Sequence, residues 1–203
     1  MVKELAEKLA QIHNLKVPIK RKNYLFNLVD QNYREAYEKF QIDQLIDQFN
    51  LDCLKNNDIK YEIEFIKNVI TQLNSPIVFC HNDFRNSNIL VRENNQTHNK
   101  LTICDFEYGY YGYRGFDLGF LFSNWGGRTL LNEATTQDFD DSNYFYFLKC
   151  YRKACIRING ENYFQNQNNS LEKLIIEAKI FHLLVTLWGC VFCLQCEGNL
   201  FGD

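Results

Sequence analysis

Glycine and proline are scarce in this 203-residue chain: there are ten glycines and two prolines, and no glycine precedes Gly109. A glycine-rich loop that cradles phosphates against bare backbone is therefore excluded from the first half of the sequence. Long apolar runs are missing as well. The longest, residues 180–194, falls short of the about 20 residues a bilayer-spanning helix needs, and reads as a buried helix. No long basic run occurs, and 22 Lys and Arg stand against 25 Asp and Glu, a formal charge of −3. Nucleic acid or an anionic membrane is thus not indicated as a partner. The N-terminus, Met1-Val-Lys-Glu-Leu-Ala-Glu-Lys, lacks the apolar core of a signal peptide.

Apolar side chains are abundant. Hydrophobic residues make up 46% of the chain and aromatics 15%, which is a globular composition. The length suits a single domain with a full core. With no secretory signal, the eight cysteines are expected to be reduced in the cytoplasm. Cys190, Cys193 and Cys196 have a C-x2-C-x2-C spacing that metal sites also use. In an apolar, helix-like stretch the same spacing lays small hydrophobes along one stripe, which is the reading adopted. His13, His98 and His182 show no metal-ligand spacing and read as structural or surface residues.

Helical periodicity runs through Leu5, Leu9, Ile12 and His13, then over residues 32–49 and 59–73, where Asn74-Ser75-Pro76 ends it. Three short β-like runs follow: Ile77-Val78-Phe79-Cys80, Asn88-Ile89-Leu90-Val91 and Leu101-Thr102-Ile103-Cys104. The polar stretch at residues 93–99 joins the last two as a hairpin connection, and from about Asp117 onward the pattern is mainly helical. The Asn/Gln-rich patches near Asn94 and Gln165 read as surface loops.

The chemistry is concentrated in residues 79–125. His81-Asn82-Asp83 is followed by Asn88 in an H-N-D-x4-N pattern, and Asp105-Phe106-Glu107 arrives after the hairpin. Phosphoryl transfer to an alcohol needs a carboxylate beside the attacking hydroxyl and Mg²⁺ held against the phosphates. Mg²⁺ takes a few hard oxygen ligands and keeps several waters. Asp83 would orient or deprotonate the hydroxyl, Asn88 would offer an amide oxygen to the metal, and Asp105 would supply the main metal carboxylate. Taken singly, an Asp-Asn pair is usually a turn or a cap; the ordered set is what points to phosphoryl transfer. His81 is expected to hydrogen-bond the loop backbone.

Residues 79–90, Phe-Cys-His-Asn-Asp-Phe-Arg-Asn-Ser-Asn-Ile-Leu, resemble the catalytic-loop signature of choline and ethanolamine kinases. Residues 105–119, Asp-Phe-Glu-Tyr-Gly-Tyr-Tyr-Gly-Tyr-Arg-Gly-Phe-Asp-Leu-Gly, are similar to that family's second signature. Ala10-Gln11-Ile12-His13 with Pro18, and residues 177–195, resemble its first and late C-lobe helices, so nearly the whole chain is covered. The resemblance implies a mainly helical α+β fold: a protein-kinase-like C-terminal lobe, here residues 1–203, with a short β-hairpin carrying the catalytic loop and D-F-E. The ATP-covering N-lobe and the extreme C-terminus are expected to lie outside it. It further implies ATP as co-substrate, Mg²⁺, and phosphorylation of choline or ethanolamine on the way to phospholipids. Asp83 is the implied catalytic base, with Asn88 and Asp105 on the metal and Glu107 beside them. Asp117 is expected to brace the loop. Tyr108, Asn124, Trp188 and Arg85 are expected on the substrate side, with aromatic faces meeting the ammonium group; core packing is the alternative for Trp188.

Three departures matter. Asn124 stands where the family has a glutamate that would neutralise the ammonium, Val185 where it often has a tryptophan, and Arg85 and Ser87 where it has glutamine and glycine. Two other readings stay open: an aminoglycoside-type phosphotransferase, and a non-catalytic remnant of a kinase. The chain alone is expected to turn over negligibly. A second copy of the chain is a candidate partner; nucleic acid and a transmembrane segment are not expected.

Overall fold

The computed structural model describes residues 1–39, 41–92, 100–125 and 142–200, apart from the side chains of Cys53 and residues 193–200. Helix α1 (Val2–His13) buries Leu5, Ala6, Leu9, Ala10, Ile12 and His13, the i, i+3, i+4 stripe of an amphipathic helix. The Asn14 amide closes it by donating to the Ala10 carbonyl at 2.7 Å. Where one helix was expected over residues 32–49, the structure has two, α2 (Leu25–Lys39) and α3 (Ile42–Gln48). The Asn23 carboxamide receives the Leu25 N–H, so α2 begins earlier than its apolar periodicity suggests. Gln41 takes a left-handed conformation (φ 45°) ahead of α3, which ends the shared helical path. The short α4 (Asp52–Asn56) follows.

Helix α5 (Ile59–Leu73) has the bounds its periodicity predicts. Asp58 caps it by accepting from the Lys60 and Tyr61 amides, and left-handed Asn74 ends it before Pro76. Strand β1 (Ile77–Cys80) leads to a single turn of 3-10 helix at Asn86–Asn88, then β2 (Ile89–Val91), β3 (Leu101–Ile103) and β4 (Tyr110–Tyr113). β2 and β3 form the expected antiparallel pair, with Ile89 opposite Ile103. β4 was not expected. It pairs antiparallel with β1, Cys80 opposite Tyr110 and Ile77 opposite Tyr113.

Three long helices complete the fold, together with the short α8 (Glu161–Gln165) that precedes the last of them. α6 (Arg114–Ser123) is buried along its whole length, α7 (Ser142–Asn159) packs on α1, and α9 (Leu171–Leu200) runs across α6. One face of α6 (Leu118, Leu121, Phe122) joins α1, α7 and Phe84 in one core; the other (Phe116, Phe120) joins α2, α3, α5 and α9 in a second. The apolar part of α9 is longer than residues 180–194 suggest. Residues Leu171–Phe192, at mean hydropathy 1.8, are long and apolar enough to cross a membrane, and the expectation of too short a run is corrected. In this fold Leu174, Ala178, Phe181, Leu184, Val185 and Val191 of α9 are core residues. Among the described residues the result is a mainly helical α+β fold with two small antiparallel sheets.

Candidate active site

β1 leads into a loop that begins with His81, Asn82 and Asp83, and the α6 residue Asp117 holds its start. Asp117, fully buried, accepts the His81 N–H on Oδ2 at 2.8 Å and the Asn82 N–H on Oδ1 at 2.7 Å. These backbone amides have left the β1–β4 ladder and need another acceptor once buried. His13 Nε2 reaches the same Oδ2 at 3.0 Å, and His13 Nδ1 meets the Tyr151 hydroxyl at 2.7 Å. α1, α6 and α7 thus converge on one carboxylate.

His81 Nε2 lies 2.8 Å from the Cys104 carbonyl, which can only accept, so Nε2 carries the proton. Nδ1 is then free to accept the Asp83 N–H at 3.3 Å. One neutral ring therefore ties the loop to the residue before Asp105. Asn82 adopts φ 64°, and its carboxamide donates to the Tyr108 carbonyl at 2.9 Å and the Tyr110 carbonyl at 3.3 Å. Asparagine tolerates this left-handed turn better than most residues.

The Asp83 side chain is nearly buried. Its Oδ2 accepts from Asn88 Nδ2 at 2.7 Å and from Arg85 Nε at 3.0 Å. Asn88 Nδ2 also donates to the Asp83 carbonyl at 2.9 Å. That orients the carboxamide: the nitrogen faces Asp83, and Oδ1 points elsewhere, with Ser87 Oγ at 3.3 Å. Among the described residues no hydrogen bond uses Asp83 Oδ1. Arg85 was expected beside the substrate; the structure gives it a direct ion pair with Asp83 and leaves its side chain 52% exposed.

Asp105 follows β3. The Cys104 N–H donates to the Asn88 carbonyl at 3.1 Å, continuing the β2–β3 register, so Asp105 emerges beside the turn that holds Asn88. It is exposed and left-handed (φ 65°), a conformation that Asp accepts more readily than branched residues. A tight turn from Phe106 to Gly109 follows, with Glu107 and Tyr108 exposed. The Asn124 amide is turned back on its own helix, donating to the Phe120 carbonyl at 2.9 Å and Ser123 Oγ at 3.1 Å. Its carbonyl accepts from Asn86 at 2.7 Å, which ties the end of α6 to the loop after Asp83. Trp188 packs its ring on Phe116 and Phe120, and its buried Nε1 has no hydrogen-bond partner among the described residues. Tyr108 and Trp188 make no ring contact with each other.

Asp83, Asn88 and Arg85 are thus in direct contact, and His81 and Asp117 touch their loop. Tyr108 and Asn124 join it through their backbone carbonyls, and Trp188 lies behind Phe120. The roles of His13 and Tyr151 are not legible in the sequence, although the burial of His13 is signalled by its place on the apolar stripe of α1. His13, Cys80 and Asp117 lie with one ligand atom each within 4.8 Å of the others. All three are committed to protein hydrogen bonds, and burial pushes the Cys80 thiol well up, with the nearby Asp117 carboxylate adding to the shift.

A sequence profile described as choline/ethanolamine kinase matches residues 1–200. A human choline/ethanolamine kinase is 36% identical over 204 residues, covering 94% of this chain and 49% of the human protein. A probable ethanolamine kinase A of Dictyostelium discoideum is 27% identical, covering 91% and 49% respectively. In three dimensions the chain is similar to a Plasmodium vivax ethanolamine kinase, with TM-score 0.63 and 22% identity, over 97% of this chain and 53% of that one. That likeness is one of fold. The chain spans about half the length of these curated relatives.

Proposed function

Because this chain belongs to the choline/ethanolamine kinase family, we propose that it carries the centre at which ATP phosphorylates the hydroxyl of choline or ethanolamine. Residues 1–203 are read as one kinase-like C-terminal lobe. The observation that carries the site assignment is the short Asn88 Nδ2 to Asp83 Oδ2 hydrogen bond. It holds the carboxylate by one oxygen, leaves the other for an incoming hydroxyl, and turns the Asn88 carbonyl oxygen away from Asp83.

The donor set suits Mg²⁺: an amide oxygen not occupied by Asp83 and an exposed Asp105 carboxylate on a pinned backbone, both hard oxygens. Asn88 and Asp105 would hold the ion, which would supply charge neutralisation for the phosphates. Asp83 orients the substrate hydroxyl and accepts its proton as the hydroxyl oxygen bonds to the γ-phosphorus and the bond to ADP breaks. Arg85 steadies the Asp83 carboxylate through Nε and turns the rest of its guanidinium toward solvent, where an anionic substrate group approaches. Glu107 stands beside the metal side. Tyr108, exposed beside the loop, offers its ring face to the cationic head of the amino alcohol, while Trp188 backs that side through Phe120 and Asn124 closes it from the end of α6. Asn124 brings no charge there, so aromatic contact contributes the larger share. Among the described residues Cys80, Cys104, Cys150 and Cys155 are thiols rather than disulfides, which accords with a cytoplasmic enzyme.

The test is a kinase assay on the protein that carries this chain, with Mg·ATP and either amino alcohol. Asp83→Ala is expected to lower kcat by at least about a hundredfold, the lower range for a lost general base, while melting stays within a few degrees. Near-normal turnover in that variant would remove the assignment.

A further inference from the structure

We propose that the loop joining α1 to α2 is a docking surface for the anionic face of a phospholipid membrane. Residues 15–22 read Leu-Lys-Val-Pro-Ile-Lys-Arg-Lys, four cations in eight positions. Val17, Pro18 and Ile19 separate Lys16 from the short Lys20-Arg21-Lys22 run, so no long basic run stands out in the sequence. In the fold, Lys16, Lys20, Arg21 and Lys22 are all exposed, together with Leu15 at 48% and Ile19 at 45%. Removing these four positive charges from the net −3 leaves −7 for the rest of the chain, so the loop is a local reversal of sign.

The loop is held in place. The Tyr111 hydroxyl accepts the Val17 N–H at 3.0 Å and donates to the Val17 carbonyl at 3.1 Å. The Arg21 guanidinium lies 4.8 Å from the centroid of the Tyr111 ring, and the Lys22 ammonium 5.1 Å from that of Tyr24. None of the ion pairs among the described residues uses these four cations. Among the described residues the surface therefore presents positive charge without an ion-pair partner, with Arg21 and Lys22 already held against aromatic rings.

The aliphatic side chains select the partner. Against a nucleic-acid backbone Leu15 and Ile19 would stay in water, whereas at a bilayer they enter the boundary between headgroups and acyl chains while the cations meet anionic lipid. The inference does not depend on the catalytic reading and is tested on the 203-residue chain directly.

The measurement is co-sedimentation with vesicles of phosphatidylcholine alone and of phosphatidylcholine mixed with phosphatidylserine. Binding is expected only to the mixed vesicles and to weaken as salt is raised. Each cation contributes roughly fivefold to partitioning, so Lys20→Glu with Arg21→Glu is expected to weaken it by at least about tenfold. Ile19→Ser, with every charge kept, is expected to weaken it as well. All three positions are exposed, so melting temperatures should not move, which separates loss of docking from loss of fold. Absence of binding to either vesicle, equal binding to both, or binding insensitive to Ile19→Ser and displaced by single-stranded RNA would overturn the proposal.

Discussion

Asp117 is the residue on which the loop geometry rests. Its two oxygens take the backbone amides of His81 and Asn82 and a ring nitrogen of His13, all inside the core. Truncation to alanine strands two buried N–H groups, each costing about 1–3 kcal/mol. Asp117→Ala is therefore expected to destabilise the protein by about 3 kcal/mol or more in chemical denaturation. Asp117→Asn, which keeps one carbonyl acceptor, should lose less. Equal stabilities for the two variants would show that the carboxylate is not holding the loop. His13 and Tyr151 extend this support to α1 and α7, across sequence separations of 104 and 138 residues.

Among the elements, the crossing of α6 and α9 depends on two glycines on one face of α6. A Cβ on Gly119 would lie 2.5 Å from the Phe181 carbonyl carbon and 2.6 Å from the His182 nitrogen, both backbone atoms that cannot swing aside. A Cβ on Gly115 would meet the Phe181 ring. In an open helix Gly→Ala is worth about 1 kcal/mol of stabilisation. Here Gly119→Ala is expected to destabilise by about 2 kcal/mol or more, because α9 must move off α6. A raised melting temperature in that variant would contradict the close crossing. The same packing explains the buried pair of Arg114 and Glu177, joined at 2.6 Å, with Ser75, Tyr163 and Asn169 completing their hydrogen bonds.

For the molecule as a whole, buried acidic protons set an alkaline limit. Burial raises Cys80, Tyr144 and Tyr151 well above their ordinary values of 9.0 and 10.0. The folded state holds these protons more tightly than the unfolded state does. The stability they contribute is thus complete below pH 9.0 and is lost as pH rises past the values of the unfolded chain. Melting temperature is expected to be level near neutrality and to fall steadily above pH 9.0; a flat profile through the alkaline range would show these groups to be accessible.

Local pattern carried much of this architecture. Spacing placed α1 and α5 and the β2–β3 hairpin, and contiguity kept His81, Asp83, Asn88 and Asp105 within one readable segment, because each depends on neighbours a few residues away. Other features depend on partners far along the chain. Tyr110–Tyr113 becomes a strand only because β1 is there to pair with it. The α2–α3 break, the full length of α9 and the ion pair of Arg85 with Asp83 are likewise outcomes of packing and side-chain direction. The cations of residues 16–22 become an exposed surface beside Leu15 and Ile19 for the same reason: periodicity records which face a residue prefers, and only the folded backbone decides what that face meets.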